Sequence, residues 1–282
     1  MFARTAIAIV ALAAGISAAS ADSFLPADEV EGHPGATYLD LVRLIVPDAE
    51  LVGETDAANG KHPDAVGHTM LPVRHLDPTL AGPPPDELVA QSVEAWPVRA
   101  DGAEYLLIKL DLGRNDSRRV GTSVLALLDA ELKLVDAAEF SLDVYVHSEE
   151  VDPVAIGPDN DGMVFNHQYD DWSRHTLVYV HNARLAQTPA IQSFEDYDCT
   201  EPRQTWAEIT VTEEAGKQFW PLTMTHHDNR TLPATLTCSE LADMPSPVVT
   251  SVTYRWDDAK GAYIGDHAAL DAVAATLPAR TE

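Results

Sequence analysis

The stretch EYLLIKLDL, residues 104–112, places apolar side chains at alternate positions. Leucine or isoleucine occupies every even position from 106 to 112, whereas Tyr105, Lys109 and Asp111 have odd numbers. Alternation of this kind is typical of a β-strand with one buried and one wetted face. The segments EFSLDVYV (139–146) and VVTSVTYRW (248–256) show the same period. We therefore predict antiparallel sheet over much of the chain.

Turn residues separate these runs and predict hairpins. Residues 124–141 form one candidate, and residues 254–264 form another with its turn at residues 257–261. The long helices that a parallel sheet requires are not evident between the runs. The predicted fold is mainly β, an antiparallel β-sandwich. A β-propeller is the alternative, although no repeat of about 40 residues with a fixed motif is found.

Two helices are predicted near the ends of the mature chain. Residues 37–46, TYLDLVRLIV, should form a short helix with a capping box of Thr37 and Asp40, ended by Pro47. A C-terminal helix should begin with Asp266 as its cap and end at Pro278. The polar residues 52–74 between helix and sheet are interpreted as loop.

The start of the chain is typical of an exported protein. A basic residue, Arg4, precedes an apolar run over residues 6–16 and the small residues Ala19-Ser20-Ala21. This pattern predicts a signal peptide cleaved after Ala21. The run is too short for a membrane anchor, which needs roughly 20 apolar residues. We expect a secreted or periplasmic protein without a membrane span.

The strongest break in the chain is DPTLAGPPPDE, residues 77–87. It suggests three parts. Residues 1–21 are the signal peptide, residues 22–85 an N-terminal helix-and-loop segment packed on the body, and residues 86–282 an antiparallel β domain.

The formal net charge of −27 excludes some classes of partner. Such a charge repels nucleic acid and anionic membranes, and favours cations or a basic protein partner. Acidic chains from salt-adapted organisms have a similar composition, so the charge excludes more than it identifies.

The two cysteines, Cys199 and Cys238, are predicted to form a disulfide, because an even count in an oxidising compartment favours pairing. The alternative, a metal thiolate pair, lacks the C-x-x-C spacing.

The segment FNHQYDDWSRHTLVYVHN, residues 165–182, contains three histidines. His175 and His181 would share a strand face, but six residues of strand separate them by about 20 Å, too far for one metal ion. A hairpin register that places His167 opposite His175 would bring their Cβ atoms to about 5 Å. Such a pair could bind a divalent cation, zinc or calcium. The candidates to complete the site are Asp170, Asp171 and His147.

The loop within this hairpin is the predicted ligand-binding surface. It contains Tyr169, Asp170, Asp171 and Trp172. Aromatic rings can stack on a saccharide, and carboxylates can accept hydrogen bonds from its hydroxyl groups. The alternative is a surface loop flanked by two solvated histidines, with Trp172 as a packed anchor.

Two further polar segments contain candidate metal ligands. One segment contains His226, His227 and Asp228. Adjacent residues of a strand face opposite ways, so this histidine pair suits a loop better than a strand. Asp159, Asn160 and Asp161 form an Asx-rich turn that could hold calcium loosely, although the spacing is not that of an EF-hand. No G-x-S-x-G, phosphate-binding loop or dinucleotide motif is present in the sequence.

The predicted function is therefore binding without catalysis, with a small molecule, a saccharide or a basic protein as partner. A metal-binding protein or metal-dependent hydrolase built on His167 and His175 is the alternative. A third interpretation is an inhibitor or adaptor that docks a basic partner, with binding that weakens as salt is added.

Overall fold

The computed structural model describes residues 23–53, 61–77, 85–113, 121–141, 146–148, 153–169, 172–194, 204–229 and 247–277. Over these ranges the chain is mainly antiparallel β-structure with two short helices, as predicted. No helix in the described ranges is both long enough and apolar enough to cross a bilayer. The predicted signal peptide and both cysteines lie outside the described residues, as do Asp170 and Asp171.

The elements are short and follow one another closely. From the N-terminus they are β1 (Ser23–Phe24), α1 (Tyr38–Arg43), β2 (Glu50–Val52), β3 (Asp64–Gly67), β4 (Arg74–His75), β5 (Leu88–Ala90), β6 (Val93–Ala100), β7 (Ala103–Gly113), β8 (Gly121–Leu128) and β9 (Leu134–Ser141). They continue with β10 (Val146–Ser148), β11 (Val154–Gly157), β12 (Asn160–Tyr169), β13 (Trp172–His181), β14 (Arg184–Gln187), β15 (Ile191–Phe194), β16 (Gln204–Val211), β17 (Leu222–Asn229), β18 (Val248–Asp257), β19 (Ala262–Ile264) and α2 (Ala268–Ala274).

The strands form three large sheets and a small one. Sheet A has the order β1-β6-β7-β8-β9-β4, and sheet C has the order β16-β17-β18-β19. Sheet B has the order β10-β12-β13-β14, with β11 also paired to β12 and β15 to β13. The small sheet contains β2, β3 and β5. Neighbours run antiparallel except β4 and β9. No sheet closes into a barrel or propeller over the described ranges.

Three hydrophobic cores lie between these layers. The first joins α1 and the small sheet to one face of sheet A, the second joins the other face of sheet A to sheet B, and the third joins sheet B to sheet C. Buried examples from the three cores are Ile108 with Val42, Leu125 with Phe165, and Leu177 with Met224. Sheets A and B are therefore buried on both faces.

Burial on both faces overturns one expectation from the sequence. The even-numbered face of β7 is buried, as predicted, but Lys109 on the other face is only 2% exposed. The prediction that Lys109 faces water is wrong, because the second core covers that face of sheet A. A period-two pattern identifies the strand but does not show that its second face meets solvent.

Helix α1 begins as predicted. The Asp40 carboxylate accepts hydrogen bonds from the backbone N–H and the hydroxyl of Thr37, both at 2.9 Å. The helix ends at Arg43, earlier than expected. At the other helix, His267 rather than Asp266 occupies the N-cap position of α2, so the predicted cap is wrong.

The interpretation of residues 52–74 as loop is wrong in part, because β3 lies within it. In β3 the buried positions are Ala65 and Gly67, which carry too little apolar volume to produce a visible period. A Cβ at Gly67 would lie 2.4 Å from Cγ1 of Val46, so this close approach requires glycine. β3 pairs with β5 through Ala65 and Ala90. The small sheet therefore includes strands from both sides of residues 77–87.

Candidate ligand-binding cleft

A cleft of about 620 Å³ opens between the N-terminal segment and sheet A. The N-terminal segment contributes Phe24 and Tyr38, whose rings stack with centroids 4.3 Å apart and planes 9° from parallel. Sheet A contributes Pro97 and Tyr105, and the β8–β9 turn contributes Leu132. The volume is of the size that small organic ligands occupy, and the lining combines apolar rings with charged groups.

Backbone pairing fixes the aromatic side of the cleft. β1 pairs with β6, which places Phe24 opposite Val93. Residues 28–37 then fold back on themselves, with a bridge between Glu29 and Thr37. The backbone N–H of Tyr38 donates to the Asp28 carbonyl at 3.0 Å. The ring of Tyr38, the first residue of α1, is thereby held beside Phe24.

The β8–β9 turn places an apolar side chain in the cleft at a conformational cost. Leu132 has a φ of +59°, in the left-handed region that favours glycine. A residue with a side chain loses roughly 1 kcal/mol or more there. The turn is held by the Asp129 carboxylate, which accepts from the backbone N–H groups of Glu131 and Lys133 at 3.0 and 2.9 Å. Leu132 is packed against the first core and lines the cleft.

Arg99 is the one guanidinium that the described residues place in the cleft lining, and it is already paired. Arg99 donates to Asp161 from Nε at 3.0 Å and from Nη2 at 2.8 Å, and its backbone N–H donates to the same carboxylate at 2.9 Å. These bonds and the charge of Asp161 raise the pKa of Arg99. The lining also contains the carboxylates of Glu31, Glu104 and Asp129. The cleft therefore has an excess of negative charge.

A second group of polar side chains lies on the face of sheet A that packs against sheet B. Nζ of Lys109 is 2.6 Å from Glu94 and 2.7 Å from Asp111, and the Ser123 hydroxyl donates to Asp111. Burial raises the pKa of Asp111. Burial alone would lower the pKa of Lys109, but the charges of Asp111 and Glu94 outweigh it and raise that pKa. Lys109, Glu94 and Asp111 therefore form a charged triad on two neighbouring strands, β6 and β7, and Ser123 joins it from β8.

The hairpin that carries the predicted metal pair forms, but in another register. Asn166 lies opposite His175, and His167 lies opposite Arg174. The predicted register is wrong because the strands continue to Tyr169 and Trp172, so only two residues connect them. A shift of one residue turns a side chain to the other face of the sheet. His167 and His175 therefore lie on opposite faces of sheet B and are not brought together.

Each of these histidines has its own surroundings. His167 is 2% exposed and its ring meets Phe140 edge to face at 5.0 Å. Burial, with the neighbouring charges of Arg174 and His175, lowers the pKa of His167 to about 3, so the ring is neutral at pH 7. Its Nδ1 has no hydrogen-bond partner in the described structure. Nε2 of His175 lies 2.8 Å from the hydroxyl of Ser193 on β15.

The predicted ligand loop is only partly described. Tyr169 ends β12 and its backbone lies opposite Trp172, the first residue of β13. The Trp172 ring contacts Phe194 edge to face at 5.7 Å and is partly buried. Trp172 thus packs against β15, which is the anchoring role that the sequence left open as the alternative. The predicted binding by the two carboxylates of the turn stays a prediction.

The histidine doublet lies in a strand rather than the predicted loop. β17 includes both residues, so His226 is buried at 2% exposure while His227 is turned to the other face. The ring of His227 stacks on Trp206 with centroids 4.7 Å apart and planes 4° from parallel.

The predicted calcium turn joins neighbouring layers of the fold. Oδ1 of Asn160 accepts from the backbone N–H of Asp101 at 3.0 Å, and its Nδ2 donates to the Gln218 carbonyl at 3.1 Å. Asp161 binds Arg99 as described above. Within the described ranges, no three His, Cys, Asp or Glu side chains are grouped so that they could hold a metal ion.

Reasoning from the sequence missed the cleft and the triad. Lys109 left a visible signal, because it is the one charged residue in the otherwise apolar run 106–110. The cleft residues left none, since Phe24, Tyr105 and Leu132 are far apart in the chain. No protein-family model, curated protein sequence or solved structure matches the chain.

Proposed function

We propose that the chain is an exported, non-enzymatic protein that binds a small organic ligand in the cleft between its N-terminal segment and sheet A. The observation that carries the proposal is the cleft of about 620 Å³ with aromatic and aliphatic lining from three parts of the chain. A pocket of this size with a few polar groups is the usual form of a small-molecule site. The left-handed backbone at Leu132 supports it, because strained positions of this kind cluster at binding and active sites.

Export rests on the signal peptide that the sequence predicts, and the test is the mass of the mature protein. We expect the chain recovered after export to begin at Asp22. We also infer that sheets A and B together form a β-sandwich, which the core they share supports.

A cleft-filling substitution tests the binding site. Ala130 is exposed at the edge of the cleft, so Ala130→Trp should fill part of it without entering a core. Ala259, exposed in the β18–β19 turn, offers the matched control Ala259→Trp outside the cleft. A panel of small molecules is screened by thermal shift and the hits are measured by calorimetry. A ligand at a free concentration of 100 times its Kd should stabilise the folded state by about 2.7 kcal/mol.

We expect at least one compound to stabilise the wild type and the Ala259→Trp variant but not the Ala130→Trp variant. A panel without any stabilising compound, or a set of hits that bind all three proteins equally, would overturn the proposal.

A further inference from the structure

We infer that the ligand of the cleft is a small organic cation with an apolar or aromatic body. The inference rests on the proposed function and adds the chemical class of the ligand. It is carried by the charges and rings that line one cavity.

The charges of the cleft lining favour a cationic ligand. Among the described residues, the lining contains four carboxylates, Glu31, Glu104, Asp129 and Asp161, and one guanidinium, Arg99. Three hydrogen bonds commit Arg99 to Asp161, so an anionic ligand would have to compete with a carboxylate already in place. The Asp129 carboxylate caps its own turn. Glu31 and Glu104 are both exposed. Glu104 lies opposite Arg99 across β6 and β7, so Glu31 is the more available of the two to an ammonium group.

The aromatic rings of the cleft lining also favour a cation. Tyr105 and Phe24, which are both partly buried, supply aromatic surface in the same cavity, and Tyr38, only 2% exposed, stacks on Phe24. An ammonium group is attracted to an aromatic face, and the attraction grows when water is partly excluded. Leu132 supplies aliphatic surface for the body of the ligand. Aromatic rings beside carboxylates suit an aryl-alkyl amine better than an inorganic cation, which would prefer oxygen ligands alone.

The long-range field acts in the same direction. The chain carries a formal net charge of −27, so a cation is drawn towards the protein and an anion is repelled. This general attraction must be separated from recognition in the cleft, and a charge-matched control variant does so.

Three probes of similar shape and different charge test the inference. Phenethylamine carries a cationic group, phenethyl alcohol is neutral, and hydrocinnamate is anionic. Calorimetry measures each against the wild type and against the double variant Glu31→Gln/Glu104→Gln. The control is Glu50→Gln/Glu213→Gln, which removes the same charge from two exposed side chains outside the cleft lining.

We expect phenethylamine to bind in preference to the other two probes. Its affinity should fall about tenfold or more in the cleft variant, the loss expected when charge-assisted hydrogen bonds are removed, and stay within about twofold in the control. An equal loss in both double variants would show general attraction to an acidic surface and would overturn the inference.

The two proposals fail in different ways. If phenethyl alcohol or hydrocinnamate binds as well as the amine, and Ala130→Trp abolishes that binding, the cleft is a ligand site but the cation inference is wrong. If the amine fails to bind and the wider panel produces no ligand that Ala130→Trp excludes, the proposed function falls as well.

Discussion

Replacement of Lys109 by methionine should destabilise the protein strongly. The side chain of Lys109 is 1% exposed and its ammonium neutralises Glu94 and Asp111, whose side chains are 21% and 29% exposed. Methionine retains most of the apolar stem, so the loss comes mainly from two carboxylates left without a counter-charge. Removing one partner of a fully buried ion pair costs about 3–5 kcal/mol. Because both carboxylates keep some contact with water, we expect about 3 kcal/mol.

The loss of stability caused by Lys109→Met should depend on pH. Burial raises the pKa of Asp111, so its neutral form is favoured in the folded state. Its stabilising contribution is therefore present at low pH and is lost as pH rises through the folded pKa. Removing the Lys109 charge should raise this pKa further. We expect the difference between wild type and variant to be largest near pH 7 and smaller near pH 4, because the Asp111 carboxyl gains a proton as the pH falls.

Urea unfolding followed by tryptophan fluorescence and circular dichroism measures the difference at both pH values. The matched control is Lys260→Met, because Lys260 is 62% exposed and its ion pair with Asp257 is long, at 4.0 Å. An exposed pair of this kind contributes about 0–1 kcal/mol. The triple variant Lys109→Met/Glu94→Gln/Asp111→Asn should recover much of the lost stability, since it removes the uncompensated charges. A loss below about 1 kcal/mol for Lys109→Met, or one equal to the control, would refute the reasoning.

Two other substitutions test the buried polar groups and the packing between layers. Burial holds the pKa of His167 at about 3 against 6.5 for an ordinary histidine, so the unfolded chain takes up a proton that the folded chain does not as pH falls below 6.5. Wild type should therefore lose about 2 kcal/mol more than His167→Met between pH 7 and pH 5, measured by urea unfolding. A Cβ at Gly157 would lie 2.0 Å from the Gln218 carbonyl oxygen, so Gly157→Ala should cost about 1–3 kcal/mol in the same assay.

His62→Met is the control for the pH experiment, because it removes the imidazole of an exposed histidine in place of a buried one. An identical pH slope in wild type and His167→Met would mean that His167 is not held neutral by burial. For Gly157→Ala, unchanged stability would mean that the Gln218 loop does not pack against β11 as closely as described.

Local features of this fold could be predicted because they depend on residues close together in sequence. The capping interaction of Thr37 with Asp40 spans one helical turn. The turn at residues 257–261 is also local, and Gly261 adopts a φ of +60° in it. The alternation in residues 104–112 identified β7 because pleating alone sets that period.

Features that depend on distant residues could not be predicted. The register of β12 and β13 follows from the length of their turn, and one residue of error turned His175 to the other face. The burial of Lys109 follows from sheet B packing on sheet A, which the pattern of a single strand does not record. The cleft joins Phe24 to Leu132, residues that meet only after the N-terminal segment has packed on sheet A.

The layered architecture also restricts where this chain can bind a ligand. Sheets A and B are covered on both faces, so a ligand cannot reach the middle of either sheet. The Lys109 triad, on one of these faces, is held by its own ion pairs. The side chains that a ligand can reach lie at the perimeter of the sheets, where a turn or the N-terminal segment crosses a sheet edge. β6 lies near such an edge, since the described part of β1 pairs only with Val93 and Glu94. Pro97, on the same strand, has no N–H to donate, a feature tolerated at the edge of a sheet. The cleft occupies this part of the molecule, so its position follows from how the sheets stack.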